Sequence, residues 1–143
     1  MKKLILIYLL ILLCLDWSTS AKVGKEHHIP AFLANFSTLT RATIVEIKEG
    51  CDTAIEQLTY FEVTGPKFEE LKESCSKFNE TSVRYTRLEA ELHVSMLTHN
   101  DEEVLKLATE YFKTYEIFKK EASELINELN LAFEYLRQIQ STP

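Results

Sequence analysis

The sequence predicts an all-α protein, built as an antiparallel bundle of three long helices. Apolar residues recur at steps of three and four along three successive stretches, which is the spacing of one face of an α-helix. The connections between these stretches are short, so consecutive helices must run antiparallel. No stretch shows the strict apolar–polar alternation that is typical of a half-buried strand.

The first 21 residues have the three parts of a secretory signal peptide. Two lysines form a charged start, residues 4–15 are an unbroken apolar run, and small residues follow at positions 18–21. A run of about a dozen apolar residues is shorter than the roughly 20 that span a bilayer, so the segment is typical of a cleaved signal. We expect cleavage after Ser20 or Ala21, which makes the protein secreted and extracellular.

The first helix is predicted at residues 31–63, after a flexible polar tail at residues 22–30. Pro30 suits the first turn of a helix because its missing N–H costs nothing there. The apolar stripe slips by one residue within the Ser- and Thr-rich segment 37–43, where the helix is predicted to be weakest. Gly50 costs about 1 kcal/mol relative to Ala, yet the stripe keeps its phase through it. The stripe consists of Phe32, Phe36, Leu39, Ile44, Ile47, Cys51, Ala54, Leu58 and Phe61.

The second helix is predicted at residues 66–98, after the dipeptide Gly65-Pro66. Glycine suits a left-handed cap at the end of the first helix, and proline suits the first turn of the next. Strict counting puts Glu89 on the inward face, and we interpret this as a small rotation that buries Leu88 in its place. The stripe consists of Phe68, Leu71, Cys75, Phe78, Ser82, Tyr85, Leu88, Leu92, Met96 and His99.

The third helix is predicted at residues 101–139 and has the most regular stripe. Phe112, Ile126 and Phe133 widen it, as expected of a helix that packs against two neighbours. The three helices together predict a single bundle domain at residues 31–140, of a spectrin-like or coiled-coil-like kind. The stripe consists of Val104, Ala108, Tyr111, Tyr115, Phe118, Ala122, Leu125, Leu129, Ala132, Leu136 and Ile139.

Two of the three cysteines remain after signal cleavage, and we predict that they form a disulfide. Cys51 and Cys75 lie on the inward stripes of the first two helices, and their midpoint, residue 63, is close to Gly65. Facing residues of an antiparallel hairpin are placed symmetrically about its turn, so the two thiols can meet within the reach of a disulfide. The bond would staple the first helix to the second.

The charge balance is acidic and excludes some classes of partner. Removal of the signal takes the 16 basic and 22 acidic residues to 14 and 21, so the formal net charge moves from −6 to −7. Without a basic cluster the protein is poorly suited to nucleic acid or to anionic membrane surfaces. The sequons that begin at Asn35 and Asn79 predict N-glycosylation of a secreted chain.

No grouping of residues points to catalysis, a metal or a cofactor. The four histidines lack the i,i+4 helical spacing that zinc sites use, and the three glycines are isolated, so no phosphate-binding loop is possible. The paired carboxylates fall on predicted outer faces, where no cleft would shift their pKa values for acid–base work. We therefore predict that the protein is not an enzyme.

Three functions remain open at this point. The first is a secreted, non-enzymatic interaction or effector ligand that binds an extracellular protein or receptor with its helix faces. The second is a carrier of an apolar small molecule or lipid in the bundle core, lined by Phe61, Tyr111, Tyr115 and Phe118. The third is a self-associating coiled coil, in which the amphipathic helices bury their faces between chains.

Overall fold

The computed structural model describes residues 29–98 and 101–142, with side chains from residue 38 onward. The described part is all-helical and consists of α1 (Ile29–Tyr60), α2 (Pro66–Leu97) and α3 (Asp101–Ser141). The all-α prediction is confirmed, with helix bounds within three residues of those predicted. The predicted signal peptide at residues 1–21 and the tail up to residue 28 lie outside the described residues.

The chain divides into two compact units between Gly50 and Cys51, inside α1. The first unit holds the earlier part of α1, and the second holds the last turns of α1 with α2 and α3. The prediction of a single domain at residues 31–140 stays a prediction.

In the first unit, α1 continues through the Ser- and Thr-rich segment that was predicted to be its weakest part. Thr40 and Thr43 are buried there, and the Thr43 hydroxyl donates a hydrogen bond to the Leu39 carbonyl oxygen at 3.0 Å. This bond to the preceding turn satisfies the hydroxyl within the helix itself. Threonine can therefore occupy buried positions where the apolar stripe slips.

The end of α1 is closed by backbone hydrogen bonds around Glu62. The Glu62 N–H donates to the Thr59 carbonyl oxygen at 3.0 Å, and the Val63 N–H donates to the Leu58 carbonyl oxygen at 2.9 Å. This pair of bonds is the Schellman pattern, and its left-handed position is Glu62, with φ 54°. Because the left-handed residue is Glu62, α1 ends at Tyr60 and not at residue 63. The sequence prediction placed the left-handed cap at Gly65 and was wrong on this point.

Gly65 does not cap α1; it is the residue that directly precedes α2. Its φ of 131° and ψ of 173° lie in a region that is essentially restricted to glycine. Pro66 then occupies the first turn of α2, where its fixed φ suits a helix. The turn therefore needs glycine, for the entry to α2 and not for the exit from α1.

The predicted disulfide is present and joins α1 to α2. Cys51 and Cys75 are both buried, and their Cα atoms are 6.0 Å apart, within the usual range for a disulfide. Ala54 and Leu58 on α1 and Leu71 on α2 are also buried in this region. The antiparallel register inferred from the cysteine positions is confirmed.

α2 and α3 pack along their inward stripes. The predicted residues of α2 from Phe68 to Leu92 are all buried, and Tyr111 to Leu129 of the α3 stripe are buried with them. Ser74 of α2 donates a hydrogen bond to the Glu128 carboxylate of α3 at 3.0 Å. None of the described helices is both long and apolar enough to cross a membrane.

Glu89 and Phe112 depart from the predicted pattern of buried residues in α2 and α3. Leu88 is buried as predicted, but Glu89 is buried too, because it follows Tyr85 by four residues and shares its face. Phe112 is 58% exposed and does not widen the buried stripe. One residue turns a helix by about 100°, so the position after Tyr111 lies on the flank of α3.

Candidate functional site

Five aromatic rings fill the middle of the interface between α2 and α3. We call them the aromatic cluster: Phe78, Tyr85, Tyr111, Tyr115 and Phe118. All five side chains are buried, and every member lies on the inward stripe that helical spacing assigns to its helix.

Tyr85 is the centre of the cluster. Its ring centroid is 5.0 Å from that of Tyr111 and 5.3 Å from that of Phe118, with the Phe118 ring nearly parallel to it. The Tyr115 centroid is 6.2 Å away. Phe78 completes the contact between helices, 5.4 Å from Phe118. These separations are the preferred ones for aromatic pairs, each worth about 0.5–1.5 kcal/mol beyond the area that it buries.

The cluster also contains buried hydroxyl groups. The Tyr85 and Tyr111 hydroxyls share a hydrogen bond across the two helices. The Ser82 hydroxyl donates to the Phe78 carbonyl oxygen at 2.7 Å, which satisfies it within α2. A polar group enters a core at low cost only when it is hydrogen-bonded, and these bonds meet that condition.

Burial raises the pKa of Tyr111 to about 12, with the hydrogen bond from Tyr85 opposing the rise and the nearby Glu89 carboxylate adding to it. A tyrosine with this pKa keeps its proton at neutral pH. Its hydroxyl can therefore donate and accept hydrogen bonds, but it does not supply a base or a nucleophile. The chemistry of the cluster is packing and hydrogen bonding.

The predicted ligand-lining residues are divided between two places. Tyr111, Tyr115 and Phe118 are brought together in the aromatic cluster, where the ring of each contacts Tyr85 and the Tyr115 ring also contacts Phe118. Phe61 lies in the turn after α1, half exposed, with its ring 5.2 Å from that of Tyr60. Phe78, the cluster residue nearest to this turn along α2, is 13 residues from Gly65, roughly 20 Å of helix, so Phe61 is remote from the cluster.

Sequence reasoning did not single out Tyr85 as a site residue, although a signal for it was present. Tyr85 and Tyr111 are each 13 residues from Thr98, and Phe78 and Phe118 are each 20 residues from it. Residues placed symmetrically about the turn of an antiparallel pair face each other, which is the argument that paired the cysteines. The same count about Thr98 pairs these rings.

The remaining predicted sites are on the surface or outside the described part. Asn79 is exposed on α2, whereas the side chain of Asn35 is not described. His93 is exposed, and the other three histidines lie outside the described residues. Within residues 29–98 and 101–142, no three histidine, cysteine, aspartate or glutamate side chains are grouped as metal ligands would be.

A second group of residues lies at the end of the α2–α3 pair, beside the connection at residues 98–100. We call it the end surface: Val94 and Leu97 on α2, and Leu105 and Phe112 on α3. Leu97 is 80% exposed and Leu105 is 70% exposed, although both are large and apolar. Leu97 is three positions after Val94, and Phe112 is seven positions after Leu105, so each pair shares one helix face.

Comparison with known proteins finds no family model that matches the chain, and no curated protein or solved structure that is similar to it.

Proposed function

We propose that the protein is a secreted, non-enzymatic helical ligand that binds an extracellular protein through the end surface. The observation that carries this proposal is the exposure of Val94, Leu97, Leu105 and Phe112 within about three and a half helical turns of one connection. Single exposed apolar side chains are normal on a protein surface. A group of large ones is typical of a surface that binds another protein.

The charges beside the end surface indicate the character of the partner. Asp101, Glu102 and Glu103 form the first turn of α3, and Glu110 follows two turns later; all four are exposed. Protein interfaces commonly combine an apolar centre with a polar rim, and complementary charge increases specificity and the rate of association. The partner surface that fits best has an apolar centre and basic residues around it.

The buried chemistry supports a binding role and not a catalytic one. The hydroxyls of Tyr85 and Tyr111 are hydrogen-bonded to each other, and the raised pKa of Tyr111 keeps its hydroxyl protonated at neutral pH. These groups fix the two helices in register. The helices then form a rigid support for the residues on their outer faces.

Self-association is the second candidate, since exposed apolar residues on long helices also fit another copy of the chain. It draws on a wider set of surface positions, which includes Ile117, Leu131 and Tyr135 on the opposite flank of α3. The carrier hypothesis has less support, because three of the rings that were predicted to line a cavity, Tyr111, Tyr115 and Phe118, pack against Tyr85.

The test compares two leucines of α3 that are exposed to a similar degree but lie at different positions along the helix. Leu105 is 70% exposed in the end surface, and Leu131 is 67% exposed far from it. The secreted protein and its Leu105→Gln and Leu131→Gln variants are used to capture partners from extracellular fluid, and bound proteins are identified by mass spectrometry. We expect a partner that binds the wild type and Leu131→Gln, and binds Leu105→Gln at least about tenfold more weakly, as at an interface hot spot.

Equal loss in both variants would contradict a partner site at the end surface. Light scattering that shows a stable dimer, lost in Leu131→Gln, would support self-association in its place. Circular dichroism of each variant verifies that the helices are intact.

A further inference from the structure

We propose that Asn79 carries an N-linked glycan. This glycan covers the outer face of the middle of α2 and leaves the end surface accessible to a partner. The inference rests on the secreted destination in the proposed function. It goes beyond that function by assigning a modification to one position on the folded surface. The sequon is Asn79-Glu80-Thr81, which lies within α2.

The fold presents Asn79 outward. The preceding residue, Phe78, is 1% exposed in the aromatic cluster, and one further residue turns the helix by about 100°. Asn79 shares its face with Ser76 and Val83, at steps of three and four, and all three are exposed. A glycan on this amide therefore projects into solvent and displaces no core side chain.

The modification needs a donor that the secretory pathway supplies, an oligosaccharide linked to a lipid pyrophosphate. The side-chain nitrogen of Asn79 forms a bond to the anomeric carbon of the first sugar, and the bond from that carbon to the pyrophosphate oxygen breaks. The lipid pyrophosphate leaves with the electron pair, and the amide nitrogen loses one proton to base. Thr81 supplies the hydroxyl that the sequon requires.

The position of Asn79 also bears on where a partner can bind. Val83 lies one turn from Asn79 on the same face, so a bulky polar glycan covers it. Leu97 lies 18 residues further along α2, roughly 27 Å away. The glycan is therefore compatible with a partner at the end surface and incompatible with one at the middle of the outer face of α2.

The test is expression of the full chain in cells that glycosylate secreted proteins, followed by mass analysis of the peptide that contains residue 79. We expect an added glycan mass that is removed by an amide-cleaving glycosidase, which leaves aspartate at position 79. Thr81→Ala should abolish the added mass, and Thr81→Ser should keep it, because serine retains the hydroxyl. Asn35→Gln removes the other sequon and should leave the glycan at position 79 in place.

An unmodified Asn79 in the secreted protein would overturn the inference, and capture of the partner by that same material would leave the proposed function intact. A chain that is retained inside the cell without a glycan would overturn both the inference and the secretion on which it rests. Asn79→Gln should bind the partner as the glycosylated protein does. Weaker binding by Asn79→Gln would contradict the placement of the glycan outside the partner surface.

Discussion

The turn between α1 and α2 and the interface between α2 and α3 are held together by different physical means. At the turn, the chain path depends on backbone geometry and a covalent bond: the left-handed Glu62, the glycine-only conformation of Gly65, and the disulfide from Cys51 to Cys75. At the interface, non-covalent packing of the aromatic cluster holds the helices. The first region is specified by a few local residues, and the second by a register that extends over two whole helices.

This difference leads to separate expectations for the two regions. Disruption of the turn should loosen the last turns of α1 from α2 and leave the α2–α3 pair in place. Disruption of the interface should affect the whole second unit, because both of its long helices bury their stripes there.

Phe118→Ala should lower the free energy of unfolding by about 3–5 kcal/mol, the usual cost of removing a buried phenylalanine ring. Phe118 contacts both Phe78 and Tyr85, so the change leaves a cavity at the centre of the interface. Urea unfolding followed by circular dichroism measures the loss. Phe112→Ala, at an exposed ring of the same helix, is the matched control and should cost well under 1 kcal/mol. Similar losses in the two variants would contradict the packing described here.

Replacement of both cysteines, Cys51→Ser with Cys75→Ser, should cost about 3 kcal/mol, since the bond closes a loop with a sequence separation of 24 residues. The melting temperature should fall, whereas the helix content at low temperature should stay close to that of the wild type. The aromatic cluster still holds α2 against α3 in this variant. An unchanged melting temperature after reduction of the wild type would count against the staple.

Because burial raises the pKa of Tyr111, we expect the protein to lose stability at high pH. Its pKa is raised from the ordinary 10.0 to about 12 in the folded protein, so between these values the unfolded chain releases the proton and the folded chain keeps it. The stabilising contribution is complete below pH 10 and is lost as the pH rises to about 12, by about 2–3 kcal/mol in total. Urea unfolding at a series of pH values measures it.

Tyr111→Phe should lack this component of the pH dependence. Tyr135→Phe, at a more exposed position of the same helix, leaves Tyr111 in place and should retain it. If Tyr111→Phe and the wild type lost stability in parallel above pH 10, the buried and protonated state of Tyr111 would be refuted.

Gly65→Ala should destabilise the turn by about 1–3 kcal/mol, the cost of a non-glycine residue in this backbone region. No atom lies within 4 Å of the position that the added Cβ would take, so the cost is conformational and not a steric clash with neighbours. Glu62→Gly is the matched exchange at the left-handed position and should instead stabilise by roughly 0.5 kcal/mol. Urea unfolding measures both changes in the free energy of unfolding. If both variants were destabilised, or both stabilised, the backbone conformations described for Glu62 and Gly65 would be contradicted.

The fold could be predicted largely from the sequence because its signals are periodic. Three apolar stripes located the helices, and the cysteine positions set the register of α1 and α2. Glu89 was misplaced because a stripe indicates which face is inward but does not exclude a charged residue from it. Glu62 was missed because glutamate rarely adopts a left-handed conformation, and glycine three residues later was the stronger local signal.

The candidate site was only partly predictable. Tyr111, Tyr115 and Phe118 were identified from one helix alone, whereas Tyr85 becomes apparent only when the register about Thr98 is counted across two helices. The exposure of Leu97 and Leu105 depends on which flank of each helix is covered by a neighbour. That information is a property of the packed structure and not of the spacing within either helix.

The most direct test of the account is photo-crosslinking from the two flanks of α3. A photo-reactive amino acid is placed at position 105 in one sample of the secreted protein and at position 131 in another, and each sample is illuminated in extracellular fluid. We expect position 105 to crosslink to a distinct partner protein and position 131 not to. Equal crosslinking from both positions, or crosslinks only to a second copy of the chain, would contradict it.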